Sequence, residues 1–280
     1  MTINCKGQLI DLQTPKVMGI INVTPDSFYD GGTTLDIDSI LHQARTMLEE
    51  GATFLDVGGY SSRPGADDVP PTEELERVLP AIRAILNNIP EALISVDTFR
   101  AEVARVCVEA GAAMINDISG GQADPLMLQT VAELQIPYVM MHSRGNPRNM
   151  QSLTQYQQVT RDVLFFFSKQ IAEARQLGIN DIIADPGFGF AKTLEQNYEL
   201  LSELELFNSL KVPVLVGLSR KSMINKVIGT SPEGALNGST VLHTICLMKG
   251  ANILRVHDVK EAVECIKLTA RINMRENGIF

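Results

Sequence analysis

Eight short apolar runs recur along the chain, and each ends in polar residues able to do chemistry. The first ends Asn22-Val23-Thr24-Pro25-Asp26-Ser27-Phe28. The second passes through Asp56 to Gly58-Gly59-Tyr60-Ser61-Ser62-Arg63-Pro64-Gly65. The third ends at Asp97, the fourth at Asn116 and Asp117, and the fifth at Met140, Met141 and His142. The sixth gives Asp185-Pro186-Gly187-Phe188-Gly189-Phe190, the seventh Gly217-Leu218-Ser219-Arg220-Lys221-Ser222, and the eighth Arg255-Val256-His257-Asp258. A single such residue is ordinary, because a lone Asp after a strand caps a helix or shapes a turn. Asp117 and Asp258 read that way, Asp56 reads as an interior structural carboxylate, and His142 alone reads as a hydrogen-bonded core histidine. Packing by itself does not make eight tips polar together.

The tips divide by chemistry. Arg255 and His257 are two residues apart, so an extended strand points both to one side. With Asn22 and Arg63 they suit a diphosphate, since Arg offers a bidentate fork and His or Asn offers neutral donors. A Mg²⁺ ion prefers oxygen ligands; Asn22 supplies one carbonyl, and the metal would arrive with phosphate. Asp97, Asn116 and Asp185 suit a flat heterocycle with amide and amino edges. Lys221 can donate to a ring carbonyl or nitrogen, and Met140, Phe190 and the Arg255 guanidinium can cover the ring faces. No Ser-His-Asp arrangement, GxSxG sequence or activated Cys points to nucleophilic catalysis.

The elements that must position these residues follow from periodicity. The runs Val17–Val23, Phe54–Val57, Leu93–Val96, Met114–Ile118, Tyr138–Met141, Ile182–Ala184, Val214–Gly217 and Ile253–Val256 are nearly continuous in apolar residues. That pattern marks parallel strands buried on both faces. Between them lie helical periods over Asp38–Glu50, Thr72–Asn88, Arg100–Ala110, Pro125–Leu134, Thr154–Leu177, Leu194–Phe207, Leu236–Met248 and Asp258–Met274. The second opens TEEL, an N-terminal signature. A further helix starts near Lys221-Ser222. Gly51, Gly111, Gly178 and Gly250 follow four of these helices, where glycine supplies a left-handed cap. Eight strands alternating with helices predict one (β/α)₈ barrel over residues 1–280, with its site at the C-terminal mouth of the strands. An open doubly wound sheet is the alternative, but no Gly-rich dinucleotide fingerprint follows the first strand. The first 15 residues are expected to cap the barrel's N-terminal face. Asn22–Thr33 and Gly58–Val69 are long for βα connections and suit lids that exclude water.

Composition narrows the partners. The 280 residues carry 33 acidic and 24 basic side chains, a formal net charge of −9, and 45% are hydrophobic. This balance argues against nucleic acid and membrane surfaces as partners. No apolar run approaches the roughly 20 residues of a membrane span, and the start lacks the order of a secretory signal. The four cysteines form no CxxC pair or metal-ligand spacing, which suits reduced structural thiols in the cytoplasm.

Eight motifs in order resemble the bacterial dihydropteroate synthases along essentially the whole chain. They are MGIINVTPDSFYDGG (Met18–Gly32), LDVGGYSSRPGA (Leu55–Ala66), SVDT (Ser95–Thr98), INDISGG (Ile115–Gly121), MMHSRGNPRNMQ (Met140–Gln151), DPGFGFAKT (Asp185–Thr193), GLSRKSMI (Gly217–Ile224) and RVHDV (Arg255–Val259). The resemblance implies a TIM barrel that condenses 6-hydroxymethyl-7,8-dihydropterin diphosphate with p-aminobenzoate, as a Mg²⁺-dependent cytoplasmic homodimer. It implies Asn22 on Mg²⁺ and diphosphate, and Asp97, Asn116, Asp185 and Lys221 on the pterin. Arg255 would stack on the pterin and contact phosphate, with His257 on the diphosphate. Phe28, Ser62, Arg63 and Pro64 would join Phe190, Ser219, Lys221 and Ser222 around p-aminobenzoate. Many members have Thr where this chain has Ser62, and the Glu233-Gly234-Ala235-Leu236 stretch lacks an Arg often found before the Leu. A corrinoid-dependent methyltransferase domain and a non-catalytic pterin-binding paralogue remain as alternatives.

Overall fold

The alternation of residues along each strand builds two different cores. In a computed structural model, which describes residues 1–24, 29–30, 34–60, 69–146 and 148–276, eight parallel strands form one sheet. They are β3 (Lys16–Asn22), β6 (Phe54–Gly58), β7 (Ile94–Asp97), β8 (Met114–Asp117), β9 (Tyr138–Met141), β10 (Ile182–Asp185), β11 (Leu215–Val216) and β12 (Ile253–Val256). Their order is β10-β9-β8-β7-β6-β3-β12-β11. A parallel bridge between Ala184 and Val214 joins the two ends and closes the barrel. The expected (β/α)₈ barrel is therefore the fold, and its strands match the eight apolar runs within a residue or two.

One face of each strand meets the helices. Val17, Ile21, Leu55, Val57, Ile94, Val96 and Ile115 pack there with Ile40, Ile82, Val103, Phe167 and Leu200. The alternate residues point inward, and near the N-terminal ends they are apolar: Met18, Phe54, Met114, Val139, Ile183, Leu215 and Ile253. Against this floor packs an antiparallel hairpin, β1 (Thr2–Cys5) and β2 (Gln8–Asp11), through Ile3, Cys5, Ile10 and Leu12. Its two-residue turn, Lys6-Gly7, has positive φ at both positions (52° and 83°), as a type I′ hairpin requires. Each fully buried aliphatic of the hairpin contributes about 1.5–3 kcal/mol by leaving water. Further along β6, β7, β8, β10 and β12 the inward positions are Asp56, Asp97, Asn116, Asp185 and Arg255, which sets charged groups above the apolar floor.

The helices are α1 (Ile37–Glu49), α2 (Pro71–Asn88), α3 (Ala101–Glu109), α4 (Met127–Leu134), α5 (Val159–Gln176), α6 (Leu194–Ser202), α7 (Ser222–Ile228), α8 (Leu236–Met248) and α9 (Val259–Glu276). A short antiparallel pair, β4 (Tyr29–Asp30) and β5 (Thr34–Leu35), lies in the first long loop. Three sequence expectations need correction. The TEEL start is displaced: α2 begins on Pro71 after an extended Pro70, with no side-chain cap bond. Glu74 of that motif is instead fully buried and ion-paired to Arg100. The helix expected from Thr154 starts at Val159, because the Thr154 carbonyl accepts a hydrogen bond from Gln196 Nε2 (2.8 Å) outside any helix. The helix expected to Phe207 stops at Ser202, and Leu204–Leu210 continues as 3₁₀ turns. Gly51, Gly111, Gly178 and Gly250 all take positive φ at helix ends.

Among the described residues, no helix is long and apolar enough to cross a membrane. All four cysteines are free and buried, and burial pushes the Cys5 and Cys107 thiols up to about 12.

Candidate active site

The two-residue period that seals the floor also delivers Asp56, Asp97, Asn116, Asp185 and Arg255 to the interior at the mouth. Arg255, on β12, reaches across the barrel. Its Nε donates to Asp56 Oδ2 at 2.6 Å and its Nη2 to Asp97 Oδ2 at 2.7 Å. Asp56, on β6, has no exposed surface, and its Oδ2 also accepts a bond from Asn116 Nδ2 on β8 (2.9 Å). Four side chains from four strands thus form one connected network. Gly58 makes room for it: a Cβ there would stand 3.2 Å from the Asp97 Cβ.

The second half of the site joins strands β10 and β11. Asp185 Oδ1 accepts the Gly187 N–H at 2.8 Å. Lys221 Nζ donates to the Phe188 carbonyl and lies 4.6 Å from the centre of the Phe190 ring. Lys221 is also the N-cap residue of α7, with no side-chain bond capping that helix. Ser222, the first helical residue, is exposed.

Charge and burial compete here. Burial raises the Asp97 carboxyl to about 7; Arg255 opposes the rise and the negative charge of Asp56 adds to it. Burial likewise raises Asp185, opposed by Lys221. Burial lowers Lys221 to about 8, with Asp185 resisting. Burial also disfavours the charge on Arg255, but Asp56 and Asp97 outweigh it and raise its pKa. The mouth therefore holds two carboxyls that burial raises and an amine that burial lowers, beside a guanidinium that stays charged.

His257 sits at the rim. Its backbone N–H donates to Ser219 Oγ (3.2 Å), and its Nδ1 lies 3.1 Å from the same oxygen. Desolvation, then the charge of Arg255, lower the imidazole to about 4, although the residue is exposed at the rim. The buried Ser219 hydroxyl is committed to His257. Asn22, half-buried, ends β3 opposite Gly58. Among the described residues no group of three or more His, Cys, Asp or Glu could hold a metal ion. Asn22 offers one amide oxygen, the donor type that a hard cation takes. Phe28, Ser62, Arg63 and Pro64 lie outside the described residues.

Met140 does not join the site. It belongs with Tyr138 to the layer that faces the helices, whereas Val139 faces the interior. The period of two puts Met141 on the inner side, where it is the register partner of Asp185. Asp117, also outward, accepts bonds from Tyr138 OH (2.6 Å), Ser119 N and Gly121 N, so it shapes a loop. Asp258 grips Arg220 through both oxygens.

Sequence reading underrated Asp56 and passed over Lys192. A carboxylate inside a buried strand demands a cationic or hydrogen-bonding partner, and that signal was present for Asp56. Lys192 immediately precedes Thr193, which caps α6 in a capping box. A cation at a helix N-terminus is unfavourable for the helix, so its presence signalled another task.

A barrel that gathers carboxylates, an amide, an amine and a guanidinium at one mouth is an enzyme of the (β/α)₈ class, acting on a polar, planar small molecule. The family described as pterin binding enzyme matches residues 18–257. The dihydropteroate synthase of Escherichia coli (strain K12) is 45% identical over 280 residues, covering 99% of this chain and 99% of that one. The solved Xanthomonas albilineans dihydropteroate synthase with 4-aminobenzoic acid superposes with a TM-score of 0.90 at 41% identity, covering 97% of this chain and 98% of that one. The same organism's enzyme in complex with 7,8-dihydropteroate gives 0.87 at 38% identity, covering 98% and 99%. The chain belongs to the pterin binding enzyme family, among its dihydropteroate synthases, transferases of folate biosynthesis.

The Arg255 network makes stability depend on pH. The folded chain keeps the Asp97 proton up to about pH 7, while an unfolded chain releases it near ~4. This contribution is complete below ~4 and is lost as pH rises through about 7. Arg255→Met removes the charge that opposes the rise at Asp97 and takes away its ion-pair partner. The variant should lose about 3–5 kcal/mol at pH 8 and clearly less at pH 5, where Asp97 is protonated. Thermal melts of both proteins at the two pH values measure this; an equal loss at both would contradict the network.

Proposed function

We propose that this mouth binds 6-hydroxymethyl-7,8-dihydropterin diphosphate and joins it to p-aminobenzoate after diphosphate has left. The observation that carries the reading is the Asp97–Arg255–Asp56–Asn116 network facing Asp185 and Lys221 across one opening. The amino and amide N–H groups of a pterin edge match carboxylate acceptors, and its carbonyl matches the Lys221 ammonium. A pterin that donates to Asp97 competes with Arg255 Nη2. Arg255 then stays anchored to Asp56 through Nε, and its freed edge turns to the ring face and the phosphates.

In this scheme the bond between the pterin methylene carbon and the diphosphate oxygen breaks first. The electron pair leaves with diphosphate, and the dihydropterin ring donates electrons to the methylene cation. Asp97 and Asp185 favour that positive charge, while Arg255, His257 and Asn22 face the departing anion. Asn22 would hold Mg²⁺ together with the diphosphate oxygens, and the bound ion supplies positive charge against the leaving group. The p-aminobenzoate amine then attacks the methylene carbon and loses a proton. Its carboxylate suits the open first turn of α7 beside Lys221 and Ser222, and Phe190 suits its ring. Ser219 acts through His257, and Phe28, Ser62, Arg63 and Pro64 complete the site from the two long loops. No enzyme nucleophile takes part.

The reading extends to assembly and location. Val241, Ile245 and Met248 on α8 and Leu268 and Ile272 on α9 are exposed apolar side chains on two packed helices. They suit a homodimer interface, and four free thiols suit the cytoplasm. Leu268→Glu should convert a dimer to a monomer in light scattering; a wild-type protein that is monomeric at micromolar concentration removes the interface.

Activity is tested by following diphosphate release and dihydropteroate formation with and without p-aminobenzoate. The wild type should make dihydropteroate, and Arg255→Ala should lose about 10²-fold or more in kcat/KM. Near-normal turnover in that variant, or a covalent enzyme–pterin adduct, would refute the scheme.

A further inference from the structure

Lys192 is a buried amine that the scheme above does not use. Only 4% of it is exposed. Its Nζ lies 2.9 Å from the Gly187 carbonyl, 3.1 Å from the Phe190 carbonyl and 3.1 Å from His142 Nδ1. Burial lowers the Lys192 amine to about 7, with Asp185 resisting; in its charged form its three protons meet these three acceptors. With Nδ1 accepting, the imidazole is neutral and carries its proton on Nε2. Burial and the neighbouring Lys192 charge hold His142 far below its ordinary value, in agreement. His142 is fixed in turn by an edge-on contact with Phe166, ring centres 5.0 Å apart.

The backbone gripped by Lys192 is the segment that serves the site. Within residues 187–190, the Gly187 N–H holds Asp185, the Phe188 carbonyl receives Lys221, and the Phe190 ring lies by the same ammonium. The segment's shape draws on the freedom of its glycines and ends at one strained residue. Gly187 and Gly189 have φ of +70° and +83°, and Ala191, which has a Cβ, has φ +47°. A Cβ on Gly187 would fall 2.0 Å from the His142 carbonyl oxygen. From the far side Asn197 Oδ1 accepts the Gly189 N–H at 2.7 Å.

We propose that Lys192, braced by His142, is a positioning residue that locks residues 187–190 in the shape that seats Lys221 and Asp185 for the reaction. The proposal deepens the functional reading above and rests on it for the roles of Lys221 and Asp185. Lys192 touches no substrate; its effect passes through the Phe188 carbonyl and the Phe190 ring. Small errors in such placement are costly because the reacting groups must be aligned before the chemistry begins.

The test is a double-mutant cycle with two readouts. Lys192→Met keeps the length of the side chain and removes its donors. It should lower kcat/KM for dihydropteroate formation by roughly 10- to 100-fold. In a Lys221→Met background the same change should cost several-fold less, because one of the two groups it seats is gone. Equal losses in both backgrounds would show a general structural role and overturn the proposal. Independently of activity, Lys221 should be acylated several-fold faster by acetic anhydride in Lys192→Met than in wild type, as read by mass spectrometry. Unchanged labelling overturns the proposal even if activity falls. If the wild type makes no dihydropteroate but Lys221 labelling rises, the functional reading fails and the positioning role stands. Should Lys192→Met not fold, Lys192→Gln, which keeps one donor pair, enters the same cycle with the same outcomes.

Discussion

A guanidinium held inside a barrel by two buried carboxylates sets the terms for the whole mouth. Removing such charges from water costs several kcal/mol per ion, and the attraction between them recovers this only with good geometry and every remaining polar atom engaged. Arg255 meets the first condition with bonds of 2.6 and 2.7 Å to Asp56 and Asp97. Asn116 adds a bond to the same Asp56 oxygen, while the other, Oδ1, is buried with no hydrogen-bond partner among the described residues. No member is tolerable alone. The cluster exists because four strands from distant parts of the chain bring it together, and the absence of a side chain at Gly58 lets Asp97 fit. Functionally the result is a preorganised field: a fixed positive charge next to an Asp97 carboxyl that burial raises to about 7.

The barrel supports this by separating its interior into levels. The inward residues at the N-terminal ends are apolar and are covered by the β1–β2 hairpin. Those nearer the C-terminal ends include Asp56, Asp97, Asn116, Asp185 and Arg255. The same period of two therefore writes both the seal and the site, and a shift of one residue in any strand would exchange a site residue for one that packs on helices. Lys192 adds a third layer behind the mouth, where its hydrogen bonds to backbone carbonyls brace the glycine-rich loop after β10 and the strained Ala191 that follows.

Much of this was legible in the sequence, for identifiable reasons. Runs buried on both faces announce themselves as unbroken apolar stretches, so all eight barrel strands were found, and the polar residue at each tip marked the mouth. What such runs hide is which face each residue takes. Val139, Met140 and Met141 are all apolar, and nothing in the local pattern separates the inward pair from the outward one; Met140 was placed on the wrong side for that reason. TEEL matched a helix start, but Pro70-Pro71 already fixes the backbone there, which left Glu74 for an ion pair with Arg100 from 26 residues away. Pairings of that kind, like Arg255 with Asp56 at a separation of 199 residues, are set by closure of the barrel and have no local signature. Asp56 and Lys192 showed only an indirect trace: charges where local structure gives them no reason to be.

The account depends on one ligand meeting all of these groups at once, and a crystal structure with a pterin bound tests that most directly. It should show the ring with its amino and amide edge within hydrogen-bonding distance of Asp97 and Asp185, Asn116 and Lys221 on the remaining edge atoms, and the Arg255 guanidinium against one face. A pterin bound elsewhere, or at the mouth with Asp97 and Asp185 both still out of reach, would contradict it.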